Sequence, residues 1–291
     1  MEKIDRIKIK NEDVKNFKLI GRGTTANVYL LDDNKVLKLY KKKVYDKRKE
    51  RESKIIPSLI VDEETKLNIY NIYNIVEASD TFWIVLDLVK GKSLDSIYTF
   101  RLIKKCKILA RLQYEVHNHV HIKEEILFKD YLKEKIEKAD LPDNLRTYIY
   151  KTLEAMPNLN YTCHGDFHGG NIIIDKNNIN IIDWAEAGRG DYHADIARTL
   201  TLLDVHPYED FYDKDKEIKG LKNKLTYKFN KALLTIYLKE YSKFQKIDMD
   251  RLRKWQIIMD AAIMMDRDEE TNKLYLKDIE RSYKYFVNKG K

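Results

Sequence analysis

The segment His164-Gly165-Asp166-Phe167-His168-Gly169-Gly170-Asn171 runs into three isoleucines, and Asp183, within Ile181-Ile182-Asp183-Trp184, comes twelve residues after Asn171. Asp166 and Asn171 read as loop residues between strands, and Asp183 as the end of a strand. The spacing brings three oxygen-bearing side chains to one edge of a small hairpin. Carboxylate and amide oxygens are hard ligands that suit Mg²⁺ rather than zinc. A separate carboxylate can take a proton from an attacking hydroxyl, and the glycines let the backbone approach a ligand closely. Singly, Asp183 is an ordinary strand-end cap and Asn171 an ordinary turn residue. The ordered combination of acids, glycines and apolar strands is what points to chemistry. His168 reads as a loop residue rather than a metal ligand.

In this segment the chain resembles the aminoglycoside phosphotransferase and choline kinase group of small-molecule kinases, which share the two-lobed protein-kinase fold. The spacing from Asp166 to Asn171 equals that of the protein-kinase catalytic loop, where the Asp is the base and the Asn a magnesium ligand. Gly165 stands where protein kinases carry Arg, Asp183-Trp184-Ala185 stands for Asp-Phe-Gly, and no Ala-Pro-Glu follows. These departures point to the small-molecule branch. The resemblance implies an α+β fold with a small antiparallel-sheet N-terminal lobe and a larger, mostly helical C-terminal lobe. It implies Asp166 as catalytic base and Asn171 and Asp183 as Mg²⁺ ligands. Gly190-Asp191-Tyr192-His193-Ala194-Asp195-Ile196-Ala197-Arg198 is similar to the family's Gly-Asp-x-x-x-Asp-hydrophobic-Ala stretch. Asp191 is placed there as a helix N-cap and Asp195 one turn later; both read as supports of the catalytic loop. The resemblance runs from about Phe17 to Leu200, and beyond it the match is only in being helical.

The nucleotide half is read separately. Ile20-Gly21-Arg22-Gly23-Thr24-Thr25-Ala26 joins two strands through a glycine-containing turn whose backbone amides suit phosphate oxygens. A strand follows rather than a helix, so it is neither a dinucleotide fingerprint nor a Walker motif. Gly21, Gly23 and Thr24 are the candidate phosphate-facing residues. Lys38, in Val36-Leu37-Lys38, lies inside an apolar strand and needs a partner, because burying an unpaired ammonium is costly. By resemblance Lys38 binds phosphate and Glu52 holds it, with Glu50 the alternative partner. Phe82 to Gly91 resembles the strand and hinge that bind adenine. Leu86 would line the pocket wall, with backbone groups of Asp87 and Val89 on the purine edge. The side chains do not separate ATP from GTP. In Leu109-Ala110-Arg111-Leu112-Gln113-Tyr114-Glu115-Val116-His117, Gln113 replaces the first of two histidines usual in the family; Gln113 and His117 read as hydrogen-bonded core residues.

These residues need elements to hold them. Phe17–Arg22, Ala26–Leu31, Lys35–Tyr40, Ile72–Ala78 and Phe82–Val89 are short apolar and β-branched runs, with Asp32-Asp33-Asn34 and Ser79-Asp80 as turns. Val44–Leu59 reads as a helix ending at Pro57. Leu102, Cys106, Leu109, Gln113, Val116 and Val120 form one helical stripe. Further helices are expected over about 126–138, 143–156, 193–204, 221–244, 251–265 and 272–287, and short strands over Tyr161–Cys163, Asn171–Asp175 and Ile179–Asp183. A nucleotide-binding lobe, 1–88, a hinge, 89–92, and a catalytic and acceptor-binding lobe, 93–291, follow from this reading.

The chain has 291 residues, 43% of them apolar and 35% charged, with 10 Gly, 4 Pro and a net charge of +8. That excludes a disordered chain and long flexible linkers. Lys and Arg are spread along the whole length, which reads as a solvated surface with no nucleic-acid partner. Cys106 and Cys163 form no CxxC pair, so neither a zinc site nor a disulfide framework is expected. No apolar run approaches a membrane span, and a reducing cytoplasm fits the cysteine usage; a monomer or weak dimer is expected. Asp204–Glu217 carries six acids and two lysines, and Asp266-Arg267-Asp268-Glu269-Glu270 four acids and one arginine. These clusters would suit a cationic hydroxylated acceptor, or are solvated acids. Expected, then, is a Mg²⁺-dependent transfer of phosphate from ATP or GTP to a small hydroxylated molecule of the aminoglycoside kind. The alternative acceptors are choline, a sugar or homoserine. The alternative of another class is a catalytically inactive kinase-fold binding protein, which would be expected to have lost Lys38, Asp166 or Asp183.

Overall fold

A computed structural model of the chain describes residues 5–7, 17–23, 25–40, 46–78, 81–203, 221–266 and 269–289. Thr24 and the acid-rich stretch Asp204–Glu217 lie outside the described residues. The chain forms two compact units, one of Met1–Ile97, His119–Glu124 and Gly169–Glu186, the other of Tyr98–Asn118, Glu125–His168 and Ala187–Lys291. The hairpin that follows the Gly169-Gly170-Asn171 turn therefore packs with the N-terminal strands.

In the first unit six strands form one sheet: β1 (Asp5–Ile7), β2 (Lys18–Arg22), β3 (Ala26–Leu30), β4 (Lys35–Tyr40), β7 (Ile72–Ala78) and β8 (Thr81–Asp87). Their order is β1-β7-β8-β4-β3-β2. All pairings are antiparallel except the edge strand β1, which runs parallel to β7. Leu37, Trp83 and Val85 form a buried cluster with Phe17, Tyr29, Leu31 and Leu39 against it. The expected turn closes through Asp32, whose Oδ1 accepts from the Asn34 N–H at 2.8 Å. Helix α1 covers Asp46–Ser58, so it ends one residue past Pro57, which lies inside its last turn. Leu59 already belongs to a strand, β5 (Leu59–Val61), paired with β10 (Val120–Ile122). Val120 thus leaves the helical stripe, because its backbone is taken by Val61.

A second sheet of this unit consists of β6 (Leu67–Asn68), β9 (Lys92–Ser93), β12 (Ile172–Asp175) and β13 (Asn178–Ile181), in the order β6-β13-β12-β9. A one-turn helix, α2 (Leu94–Ile97), follows β9. Gly91 enters β9 at φ +133°, and a Cβ there would lie 2.5 Å from the Ile174 carbonyl oxygen. Only glycine permits that approach.

The second unit is helical, with one short ribbon of β11 (Tyr161–Cys163) and β14 (Gly188–Gly190). Its helices are α3 (Leu102–His119), α4 (Phe128–Lys138), α5 (Asp143–Ala155), α6 (Tyr192–Leu202), α7 (Leu221–Tyr241), α8 (Met249–Ile263) and α9 (Glu269–Lys289). Every residue from Trp255 to Ile263 is buried, as expected of a helix surrounded on all sides; α8 packs against α4, α5, α6 and α9. Asp248 caps it by accepting from the N–H groups of Asp250 and Arg251 at 3.0 and 3.1 Å, so the helix starts two residues before the expected 251. Cys106, Leu109, Gln113 and Val116 are buried along α3 as its stripe requires. Both cysteines are free and buried. No helix among the described residues is long and apolar enough to cross a membrane.

Candidate functional site

Lys38 is buried in β4, and its Nζ donates to both oxygens of Glu52 at 2.9 and 2.8 Å and to Asp183 Oδ1 at 2.9 Å. Glu50 is exposed, so of the two candidate acids on α1 it is Glu52 that meets the lysine. Glu52 is fully buried, and the hydroxyls of Tyr70 (2.8 Å) and Tyr40 also donate to it. Burial works against the Lys38 ammonium, but the Asp183 and Glu52 carboxylates outweigh it and hold the pKa above its ordinary value. Burial pushes the Glu52 carboxyl up, with Lys38 opposing.

Asp183 is one of two non-glycine residues with positive φ among the described residues, at φ 67°. That conformation costs an ordinary residue about 1–3 kcal/mol and survives only where the surroundings over-determine it. Here several groups do so. The Asp183 N–H donates to Tyr70 Oη at 3.2 Å, Trp184 Nε1–H donates to the Ile181 carbonyl at 2.9 Å, and Arg51 Nε–H to the Ala185 carbonyl at 3.3 Å. Asn171 ends a single 3₁₀ turn, Gly169–Asn171, and is nearly buried. Ile172 pairs with Ile181, and the Ile182 N–H donates to the Asn171 carbonyl at 2.9 Å. Asn171 and Asp183 therefore leave the same end of the β12–β13 hairpin, as their spacing requires.

Of the other candidate nucleotide residues, Gly21, Leu86 and Asp87 lie on the same sheet as Lys38. Gly21 pairs with Val28 and Val28 with Lys38, which puts Gly21 two strands, about 10 Å, from the lysine. The Gly23 N–H donates to the Ala26 carbonyl at 2.8 Å and closes the turn. Leu86 is buried at the pairing Val36–Leu86. The Asp87 N–H is engaged by the Asn71 carbonyl at 3.2 Å, and its carboxylate accepts from Asn71 N, Asn71 Nδ2 and Tyr73 Oη at 2.8, 3.0 and 2.6 Å. Val89 follows in the non-strand segment before Gly91.

In the second unit, Asp166 sits on a loop braced by one face of α6. Asp195, Arg198 and Thr199 are spaced i, i+3, i+4, so all three point the same way. Asp195 Oδ1 accepts the Gly165 N–H at 2.7 Å, Arg198 Nε donates to the Gly165 carbonyl at 2.9 Å, and Thr199 Oγ1 to the Phe167 carbonyl at 3.0 Å. Gly165 stands at φ +80°, which explains a glycine immediately before the acid. The Asp166 N–H donates to His164 Nδ1 at 3.2 Å, and the carboxylate has Arg198 Nη2 at 4.0 Å and His168 Nε2 at 3.7 Å. The Asp166 side chain is 24% exposed.

Asp195 is itself anchored. Its Oδ2 accepts from Gln113 Nε2 and His117 Nε2, both at 2.9 Å, while Gln113 Nε2 also reaches Thr199 Oγ1 at 3.0 Å. His117 Nδ1 meets Tyr241 Oη at 2.7 Å. Asp191 caps α6 by accepting the His193 N–H at 3.0 Å, and Trp255 Nε1 donates to its other oxygen at 2.8 Å. His193 Nε2 accepts from the Asp248 N–H at 2.9 Å, so its Nδ1 carries the hydrogen that goes to Asp191 at 2.8 Å.

A model of the phosphotransferase enzyme family matches residues 16–222. The chain belongs to that family. Solved structures with the same fold include aminoglycoside phosphotransferase APH(4)-Ia, 12% identical over 92% of each chain at TM-score 0.58. A thermostable mutant of that enzyme, in a ternary complex with AMP-PNP and hygromycin B, is 11% identical over 92% of each chain at TM-score 0.57. The GDP complex of aminoglycoside 2'-phosphotransferase-IIIa is 14% identical over 92% of each chain at TM-score 0.51. No curated protein sequence matches the chain. The phosphotransferase thus has the protein-kinase-like α+β architecture, with antiparallel strands in its N-terminal region and helices in its C-terminal region.

Sequence reasoning on the phosphotransferase missed Tyr70, Tyr40, Arg198 and Thr199. Arg198 lies inside a motif that was recognisable, and its helical spacing from Asp195 was the available signal. Tyr70 had none: the strand before it, β6, is two residues long. Glu269 and Glu270 are exposed, Glu269 accepting from Lys273 at 2.8 Å; Arg267 and Asp268 of that cluster lie outside the described residues.

Proposed function

We propose that the chain moves the γ-phosphate of ATP, with GTP as alternative donor, to a hydroxyl of a small acceptor in a Mg²⁺-dependent reaction. The observation that carries this reading is Lys38 bonded at once to Glu52 and to Asp183 in its left-handed conformation. Asn171 and Asp183 are hard oxygen donors leaving one end of a hairpin, and Asp183 keeps a third of its side chain exposed. Two such donors fit Mg²⁺, which takes one or two protein ligands and completes its shell with phosphate and water. The metal would neutralise charge on the phosphates. Lys38 would add a fixed cation, with Glu52 preventing it from drifting. The turn at Gly21, Gly23 and Thr24 would cover phosphate with backbone amides. Leu86 and the backbone of Asp87 and Val89 would receive the base. Asp166 would accept the acceptor's proton from within hydrogen-bond reach, and the α6 contacts to Gly165 and Phe167 fix where that carboxylate stands.

The lobe division 1–88, 89–92 and 93–291, the cytoplasmic setting, and a monomer or weak dimer free of nucleic acid and membrane belong to the same reading. So does the acceptor: a small hydroxylated, cationic molecule of the aminoglycoside kind, with choline, a sugar or homoserine as rivals. Retention of Lys38, Asp166 and Asp183 favours an enzyme over an inactive binding protein. ADP or GDP release measured across aminoglycosides, choline, sugars and amino-alcohols identifies the acceptor class. On the best acceptor, Asp166→Asn should lower turnover by about 10²–10⁴ with nucleotide affinity kept; near-normal turnover removes Asp166 as the base. Asp183→Ala should abolish Mg²⁺-dependent nucleotide binding by calorimetry, and unchanged affinity counts against the metal assignment.

A further inference from the structure

Tyr70 closes a ring of hydrogen bonds that no sequence motif announces. Its hydroxyl accepts the Asp183 N–H at 3.2 Å and donates to Glu52 Oε1 at 2.8 Å. Glu52 accepts from Lys38, and Lys38 donates back to Asp183 Oδ1 at 2.9 Å. The ring therefore holds Asp183 at both ends, main chain through Tyr70 and carboxylate through Lys38. The topology delivers Tyr70 to this point. β6 runs parallel to β13 with Leu67 opposite Ile179 and Asn68 opposite Asn180, so Tyr70 comes level with Ile182, one residue short of Asp183. Tyr70 is 5% exposed.

The direction of each bond matters. A phenol has one hydrogen and accepts with its lone pairs. With that hydrogen committed to Glu52, the oxygen's lone pairs face the Asp183 N–H. Only a tyrosine whose donor is already engaged presents this acceptor so firmly. Phenylalanine would take this partner from the part-buried Asp183 amide and leave Glu52 Oε1 with Lys38 alone.

We propose that Tyr70 is a positioning residue for the metal ligand: its hydroxyl holds Asp183 in the left-handed backbone conformation and ties that conformation to the Lys38–Glu52 pair. The inference rests on the reading of Asp183 as a magnesium ligand. It makes the geometry of the ligand depend on an acid in α1 that the ligand itself does not touch, with Tyr70 the connection.

Tyr40 provides the comparison, because its hydroxyl also donates to Glu52 but no contact joins it to Asp183 among those described. Tyr70→Phe and Tyr40→Phe each remove one hydroxyl from Glu52; only the first also releases the Asp183 N–H. The experiment measures three quantities on the full chain: calorimetric affinity for AMP-PNP with and without Mg²⁺, hydrogen exchange of the segment Ile182–Glu186, and thermal midpoint. Tyr70→Phe should weaken Mg-AMP-PNP binding by about 10–100-fold, the usual effect of removing a partner that orients a metal ligand. Metal-free AMP-PNP affinity should change little, and exchange at Ile182–Glu186 should quicken. Tyr40→Phe should leave that exchange protected and the Mg²⁺ dependence near wild type, whatever it does to the midpoint. Equal effects of the two variants on Mg²⁺ dependence would show that Tyr70 acts only through Glu52 and would overturn the proposal. So would a Tyr70→Phe protein with wild-type Mg-AMP-PNP affinity while Asp183→Ala has lost it. If Asp183→Ala also binds normally, the metal reading itself fails, which is a separate outcome.

Discussion

Two carboxylates without solvent exposure, Glu52 and Asp195, serve the two units in opposite ways. Asp195 accepts N–H bonds from Gly165, Gln113 and His117. Burial pushes its carboxyl up, but the bonds from His117 and Gln113 and the nearby imidazoles outweigh that and hold it below the usual range. It is an ionised anchor whose partners Gln113 and His117 are themselves fixed by further hydrogen bonds, to Thr199 and to Tyr241. Glu52 accepts from two tyrosine hydroxyls and from a lysine that it shares with Asp183, and burial pushes its carboxyl up. Its strongest partner is engaged elsewhere as well. An anchor saturated by fixed donors gives rigidity, whereas an acid that shares its cation gives coupling. Within its own unit each acid does one of these: Asp195 fixes the loop at Gly165, and Glu52 joins Lys38 to its neighbours.

The largest effect expected from breaking this contrast is on Asp195. Asp195→Ala removes the acceptor for three buried donors and should destabilise the chain by about 3–5 kcal/mol, a fall of about 10 °C in thermal midpoint. Denaturant titration followed by tryptophan fluorescence measures it; a change below about 1 kcal/mol would mean the loop does not depend on this anchor. Glu52→Gln should be milder for folding and harsher for ligand. The amide keeps the shape and one acceptor oxygen, but it turns an NH2 toward donors and loses the charge that holds Lys38, so Mg-nucleotide affinity should fall by about tenfold with the midpoint changed less than in Asp195→Ala. Reversal of that order would erase the distinction between the two acids.

Their pH behaviour sharpens it. The folded-state pKa of Asp195 lies below its unfolded value, so its stabilisation is present above about pH 4. It is lost as the pH falls through the folded-state pKa. Glu52 has the opposite sign: between its ordinary and raised values the folded chain holds a proton that the unfolded chain lacks, and stability falls as the pH rises. Asp195→Asn should therefore flatten the acid side of a stability curve taken from about pH 3 to pH 7. Glu52→Gln should flatten the part above about pH 4.3. Interchanged effects would reverse the assignment of the two shifts. The smallest effect is expected from Glu50→Gln, on the exposed side of α1, which should stay within about 0.5 kcal/mol of wild type in stability and leave nucleotide affinity alone.

The residues that could be read in advance share one property: their signal lies in neighbours along the chain. Strands β2, β3, β4, β7 and β8 alternate or run apolar over five to seven residues, and the α3 stripe recurs along the length of its helix, so a period can be counted. Asn171 and Asp183 were legible because a tight hairpin brings residues twelve apart in sequence to one of its ends. β5, β6, β9, β10 and β14 are two or three residues long. No period exists at that length, and a partner strand from far along the chain creates them.

By itself the sequence determined the α+β class, the acids and glycines of the loop, the buried lysine and the need for a partner. These follow from residue type and local spacing, which backbone sterics translate directly into strands, turns and caps. Tertiary structure alone decided that Glu52 rather than Glu50 meets Lys38, that Tyr70 joins Glu52 to Asp183, that Asp183 is left-handed, and that Asp195, Arg198 and Thr199 hold the loop at Gly165 and Phe167. The contacts among these residues reach far along the chain. Such contacts are selected by which donors and acceptors are buried together, because a buried polar group without a partner is what the fold cannot tolerate.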